Sequence, residues 1–265
     1  MEPARAAAAR GVGWIADGWR AFKASPGMWV VLVVVWALVL AALQLVPFVG
    51  LLAVHLMAPA LAGGLLLCVA DGLAGRPLDV GRLFDPLASD RSRGPMLVLG
   101  ALFLVANLVV LALAGALLVA TVGMSLLEHH EVLLAPGGPD PAAIDPALVM
   151  RAGLGVALAA LAALALSLVV WVLFFYAIPL VLLAGAEPGA AIAASVRGVL
   201  RNWLPLLVFS ILWSVLALLA TLPLMLGWLL LLPISFGAWH ASWRDVFPAA
   251  ASPAGPVETG AVPAG

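Results

Sequence analysis

The chain has 265 residues, 65% of them hydrophobic and 9% charged, with a formal net charge of −1. A soluble domain carries about 45–50% apolar and about 25% charged residues, and its core grows slowly with length, so a soluble protein of this size cannot hide that much apolar surface. The near-neutral charge excludes a broad nucleic-acid surface, and the single Cys68 excludes an intrachain disulfide or a cysteine metal cluster.

The first residues, 1–10, hold Arg5 and Arg10 but no apolar run ending at a cleavage site, so a flexible N-terminus and no cleaved signal are expected. Val12, Ile15, Trp19 and Phe22 then recur at helical spacing, with Asp17, Arg20 and Lys23 on other faces. This pattern predicts an amphipathic interfacial helix over 11–25, its apolar face in lipid and its cations toward phosphates.

Four stretches free of Asp, Glu, Lys and Arg follow, over 24–70, 94–127, 152–186 and 202–243. A helix needs about 20 apolar residues to cross the hydrocarbon core, so the middle two hold one span each and the outer two fold as hairpins. Gln44, Pro47 and Gly50 break the first hairpin. Thr221, Pro223 and Gly227 break the last, where one long kinked helix is the alternative. The predicted spans are 28–46, 48–70, 96–120, 156–183, 204–222 and 224–241. Further interfacial helices are predicted over 78–88, where Val80, Leu83, Phe84 and Leu87 are interrupted by Pro86, and over 189–202, from Ile192, Val196, Val199 and Trp203. Pro26, Pro95 and Pro205 mark the turn into each hairpin. Each third of the chain thus reads as an interfacial helix plus two crossings, the pattern of a triplicated unit. The stretch 136–146 reads as an irregular extracytoplasmic loop, and 248–265, rich in Pro, Ala and Gly, as a disordered tail.

Charge placement gives an independent reading. Every basic residue except Arg151 falls before the first span, between spans two and three, between four and five, or after the sixth. The loop between spans three and four holds Glu128, Glu131, Asp140 and Asp145. The positive-inside rule then places both termini in the cytoplasm. The expected fold is all-α: a polytopic bundle of six transmembrane helices, with amphipathic interfacial helices on the cytoplasmic side, in a single transmembrane domain over 11–247.

No Asp, Glu, Lys or Arg lies near the centre of a predicted span, which counts against proton pumps and ion-coupled transporters. His55 and Asn107 are the candidate polar intramembrane site, and a helix–helix hydrogen bond is the plainer role for each. Glu128, His129, His130 and Glu131 form a cluster of metal-ligand types, but adjacent helical histidines point about 100° apart. No metal or cofactor is therefore expected. Nothing resembles a nucleophile elbow, a Walker A loop or a dinucleotide fingerprint, so no enzyme activity is expected. Ala60 with Gly64, and Gly153 with Gly155, Ala159 and Ala163, read as small-residue packing. Trp14, Trp19, Trp29, Trp203, Trp239 and Trp243 read as headgroup anchors, with Trp228 toward the outer boundary.

Two ends of the chain carry a resemblance: Gly13-Trp14, Gly18-Trp19-Arg20-Ala21-Phe22 and Pro26 at the start, and Trp239, Ser242-Trp243-Arg244-Asp245-Val246-Phe247 at the finish. With Arg76-Pro77, Leu83-Phe84 and Arg201-Asn202-Trp203 between them, this resembles a family of uncharacterised bacterial inner-membrane proteins ending in Y-x-S-Y-R-D-[IV]-F. It is distantly similar to the membrane domain attached to some glycerophosphodiester phosphodiesterases. The family's two tyrosines are Trp239 and Trp243 here, and no phosphodiesterase domain is present, so that activity does not carry over. The resemblance implies six helices and no assigned activity.

The expected role is non-enzymatic: membrane organisation, sensing or scaffolding in the bacterial inner membrane, with the bilayer as partner and no nucleic acid. Arg20, Lys23, Arg197, Arg201 and Arg244 are the candidate headgroup contacts. Arg244 has two readings, a phosphate ligand or an ion-pair partner of Asp245 at the last helix's C-terminus. A transporter or lipid-handling protein for a neutral or amphiphilic solute is the alternative, and it would need a polar cavity around His55 and Asn107.

Overall fold

The computed structural model describes residues 1–47, 49–123, 127 and 146–251, and its regular elements are all helical. They are α1 (Arg10–Ala24), α2 (Pro26–Gln44), α3 (Val49–Leu73), a 3₁₀ turn (Gly81–Leu83), α4 (Asp85–Ala88) and α5 (Asp90–Leu118), which ends in a π turn (Val119–Gly123). After the undescribed segment come α6 (Pro146–Phe174), α7 (Ala177–Ala184), α8 (Pro188–Arg201), α9 (Trp203–Thr221), α10 (Trp228–Val246) and α11 (Pro248–Ala251). Five helical segments are long and apolar enough to cross a membrane: Pro26–Gln44, Val49–Leu73, Asp90–Gly123, Val149–Ala184 and Trp203–Thr221. The protein is an all-α helical bundle with the character of a multi-pass membrane protein.

The sixth predicted span, 224–241, differs from expectation. Its helix, α10, starts at Trp228, runs on to Val246, and is not among those five. Ser235, His240, Ser242, Arg244 and Asp245 lower its hydropathy, and several of its residues, including Leu231, Phe236, Gly237, His240 and Trp243, are buried in protein. A helix surrounded by other helices does not need lipid-compatible side chains on every face.

Both hairpin breakers act where expected. Between α2 and α3, Gly50 donates to the Val46 carbonyl at 2.7 Å, and a Cβ on Gly50 would lie 2.2 Å from the Leu43 carbonyl oxygen. Between α9 and α10 the chain makes a turn, so the last segment is two helices and not one kinked one. Leu224 and Met225 hold φ of 51° and 65° there, a left-handed conformation that is costly for residues with a Cβ. The turn is held by Trp228 Nε1–H on Thr221 Oγ1 at 3.1 Å, and one level down Trp213 Nε1–H donates to Ser235 Oγ at 2.8 Å.

Pro95 does not mark a turn: α5 begins at Asp90 and continues through it. Proline within the first two turns loses only its bond to the Arg91 carbonyl, near the helix start. The fourth predicted span is broken at Phe175–Tyr176. Pro179 lacks the N–H that would bond the Phe175 carbonyl, and Trp239 Nε1–H takes that place at 2.8 Å. The Tyr176 N–H is satisfied by Ser195 Oγ at 3.0 Å.

The region expected as one domain over 11–247 divides by its own contacts into two compact units, residues 1–101 with those from 173 onward, and 102–172. The first unit contains the core. Gly64 lets the 3₁₀ turn press on α3, since a Cβ there would meet the Leu83 carbonyl oxygen at 2.2 Å, and Gly100 likewise faces the Leu56 carbonyl oxygen at 2.0 Å. The second unit comprises parts of α5 and α6, where Gly155 packs on Thr121 while Gly153 has open space around it.

Both chain ends depart from expectation. Residues 1–10, expected to be flexible, are pinned: Ala4 N–H donates to the Val246 carbonyl at 2.7 Å and Ala6 N–H to Asn202 Oδ1 at 2.8 Å. Asn202 Nδ2 returns bonds to the Ala4 and Gly198 carbonyls at 2.9 and 3.0 Å. The disorder expected over 248–265 fails at its start, where Pro248–Ala251 form a helical turn. The rest of that tail, the cluster Glu128–Glu131 and the loop 136–145 lie outside the described residues.

Candidate functional site

Helix α1 has one face packed against the protein and another exposed. Gly11, Trp14, Gly18 and Phe22, spaced by three and four residues, are buried against the protein. A Cβ on Gly18 would lie 2.1 Å from the Ile234 carbonyl oxygen and one on Gly11 2.4 Å from that of Pro205, so α1 touches α10 and α9 backbone to backbone. The expected stripe is rotated from this face: Val12 and Trp19 are exposed, while Phe22 is buried. Glycine scores poorly as an apolar residue, so hydropathy spacing picks out the largely exposed stripe and passes over the face that α1 packs against the protein.

The helix is a divider. On one side, Ile15 and Trp19 line an apolar groove with Leu219, Gly227 and Leu230. On the other, Arg10, Asp17 and Arg20 line a polar cavity of about 470 Å³ with His240, Arg244 and Asp245. Val69 and Leu73 at the end of α3 and Pro248 and Ala251 of α11 complete it.

A charge network runs through that cavity. Asp245 Oδ2 accepts from Arg10 Nε at 2.6 Å and from Trp14 Nε1 at 2.8 Å. Arg10 Nη2 also donates to Asp17 at 2.9 Å, and Asp17 pairs with Arg20. Hydrogen bonding to Asp245, opposed by burial and then aided by Asp17, raises the Arg10 guanidinium above its ordinary value. The expected pairing of Arg244 with Asp245 is therefore replaced by Arg10 with Asp245. Arg244 is exposed and has no ion pair among the described residues. His240 is 5% exposed, and its Nδ1 is buried with no hydrogen-bond partner. Ser242 Oγ turns back to the Trp239 carbonyl at 2.8 Å, so it offers no free hydroxyl.

A second cluster is structural. Asp71, 6% exposed at the end of α3, receives Arg82 Nε at 2.6 Å and Arg76 Nε at 2.9 Å. Arg82 bridges on to Asp85. Hydrogen bonds to Asp71 and then Asp85 raise the Arg82 guanidinium well above its usual value. This network holds the 3₁₀ turn and α4 against α3.

The remaining sequence candidates are placed as follows. His55 Nδ1 lies 2.8 Å from the Leu51 carbonyl and Asn107 Nδ2 donates to the Phe103 carbonyl at 2.8 Å, each a bond to its own helix one turn back. Neither bond joins two helices or builds a polar cavity. Lys23 Nζ sits 5.9 Å from the centre of the Trp19 ring. Arg197 and Arg201 are exposed on α8. Among the tryptophans only Trp19 and Trp203 have anchor-like exposure. Trp14, Trp29 and Trp243 are buried, and Trp29 Nε1–H bonds the Ala21 carbonyl at 3.1 Å.

Sequence reasoning pairs Asp245 with Arg244, places Asp17 on a polar face of its helix and assigns no role to Asn202 or His240, so it does not find the contacts these four make. The available signal was the same block that carried the family resemblance: its residues converge on one place, where α1 meets α10. No family model, curated protein or solved structure matches this chain.

Proposed function

We propose that this is a non-enzymatic protein of the bacterial inner membrane, crossing six times with both termini in the cytoplasm, that organises or senses the membrane by binding anionic lipid head groups. Five helices supply crossings by length and composition. Helix α10 follows α9 through a tight turn, so it returns the chain to the side from which α9 started. The charge distribution between spans supports the orientation.

The observation that carries the headgroup reading is the outer face of α8. Its inner face, Ala191, Ala194, Ser195, Gly198 and Val199, is buried. Its outer face presents Arg197 and Arg201 with Leu200 and the adjoining Trp203, which are 64% and 61% exposed. Cations beside exposed leucine and tryptophan form the surface of a helix lying at the headgroup level, where each basic residue contributes about 1 kcal/mol toward anionic lipid.

Full-length protein in nanodiscs of mixed phosphatidylglycerol and phosphatidylcholine should retain the anionic lipid preferentially by native mass spectrometry. The double variant Arg197→Gln/Arg201→Gln should reduce that preference. Equal retention of both lipids by the unaltered protein would sink the reading. Cysteines placed at Arg91 and at Asp140 should label from opposite sides, and same-side labelling would overturn the six-crossing topology.

A further inference from the structure

The polar cavity beside α1 is too specific to be only the seam between two helices. Arg10 is engaged on both sides by Asp17 and Asp245. Arg10, Arg20 and Arg244 against Asp17 and Asp245 leave the lining one positive charge in excess: Arg20 pairs with Asp17 with 72% of its side chain exposed, and Arg244 is exposed without an ion pair among the described residues. The carbonyl of Val246, at the negative end of α10, already accepts the Ala4 N–H at 2.7 Å. His240 also lines the cavity, is 5% exposed and has its Nδ1 buried and unpartnered. A buried polar atom without a partner is costly in a folded protein and calls for an explanation, of which a bound polar group is one. The volume, about 470 Å³, falls in the range of small-molecule sites.

We infer that this cavity binds a phosphate-bearing ligand, with Arg20 and Arg244 on the phosphate and His240 Nδ1 as a hydrogen-bond partner. Guanidinium groups suit this role because their planar donors match tetrahedral oxyanions. The aspartates at the wall act as positioning residues: Asp17 orients Arg20, and Asp245 fixes Arg10 and Trp14 so that α1 keeps its place. The site does not use Arg197 or Arg201 and stands apart from the headgroup surface on α8. The same phosphate chemistry can come from a soluble phosphate ester or from a lipid head group at the cavity mouth.

Calorimetric titration of the full-length protein in an uncharged detergent separates these sources, using inorganic phosphate in one arm and phosphatidylglycerol in mixed micelles in the other. Saturable binding of free phosphate assigns a soluble ligand, and binding confined to the lipid arm assigns a head group. In either arm Arg244→Gln should weaken binding about tenfold, as expected for loss of one charge-assisted contact. Arg20→Gln should weaken it less, and His240→Gln should weaken it without removing the arginines. Arg20 and Arg244 are exposed, so their variants report even if His240→Gln fails to fold. The inference is overturned if neither probe binds, or if Arg20→Gln and Arg244→Gln bind as tightly as the unaltered protein. It is also overturned, with the surface reading left intact, if only Arg197→Gln/Arg201→Gln loses the lipid.

Discussion

Helix α10 in the first unit and the segments of α5 and α6 in the second solve the same problem in opposite ways. Around α10 the protein buries polar and aromatic side chains together: His240, Ser242 and Trp243 are all under a tenth exposed. In the second unit the helices turn leucines and valines outward, with Leu111, Leu161, Leu164 and Leu168 each about 60% exposed or more. Only 11% of the α6 span is buried, against 50% of the span in α3. The second unit takes lipid as its solvent and needs little internal packing. In the first unit α2 and α9 are also largely exposed, with 17% of their apolar stretch buried, but around α10 and α1 the packing relies on close backbone contact and paired charges. Hydropathy is the right guide to the spans of both units and a poor one to the seam where α1 meets α10.

The sharpest way to break this contrast is at glycine. Gly18→Leu forces a side chain into the α10 backbone and should abolish folding or cost at least about 3 kcal/mol, as overpacking does where nothing can move aside. Gly153→Ala in the second unit meets open space and should be neutral or stabilise by up to about 1 kcal/mol from helix propensity. Thermal unfolding in detergent reads both, and equal effects would remove the distinction between the two units.

A buried leucine gives the next largest difference. Leu65→Ala, fully buried in α3, should cost about 2–5 kcal/mol, while Leu161→Ala, 63% exposed, should change the melting temperature little. A large loss at Leu161 would mean that the second unit's outer surface is a protein interface and not a lipid-facing one.

Asp71→Asn tests the paired charges. It leaves Arg82 and Arg76 without their shared carboxylate, and because both arginines are partly exposed the cost should be about 2 kcal/mol, below that of a fully buried pair. The smallest effect is expected at the N-terminal pin. Asn202→Ala removes the bonds to Ala4 and Ala6 and should cost about 1 kcal/mol. Limited proteolysis should then cut within the first nine residues, and resistance equal to the unaltered protein would show that the pin does not depend on Asn202.

The sequence by itself determined the helical class, the long apolar helices and the position of both described hairpins, but not the helix expected over 78–88, which is a 3₁₀ turn (Gly81–Leu83) followed by the short α4 (Asp85–Ala88). These follow from two local quantities: the apolar length a bilayer demands, and the missing donor or extra freedom of a proline or glycine. The interfacial helices predicted over 11–25 and 189–202 end within a residue or two of α1 and α8 for the same reason. Tertiary structure alone decided which face of each helix is used. Trp14 and Trp243 read as anchors because tryptophan is amphipathic, yet they are buried because Gly11 and Gly18 let α1 approach close enough to cover that side. Asp245 stands next to Arg244 in sequence but bonds Arg10 from the far end of the chain, because neighbours on a helix point about 100° apart. The polar cavity forms where residues 10–21 and the end of α3 meet residues 237–251, a juxtaposition that depends on how the helices pack and that no local pattern encodes.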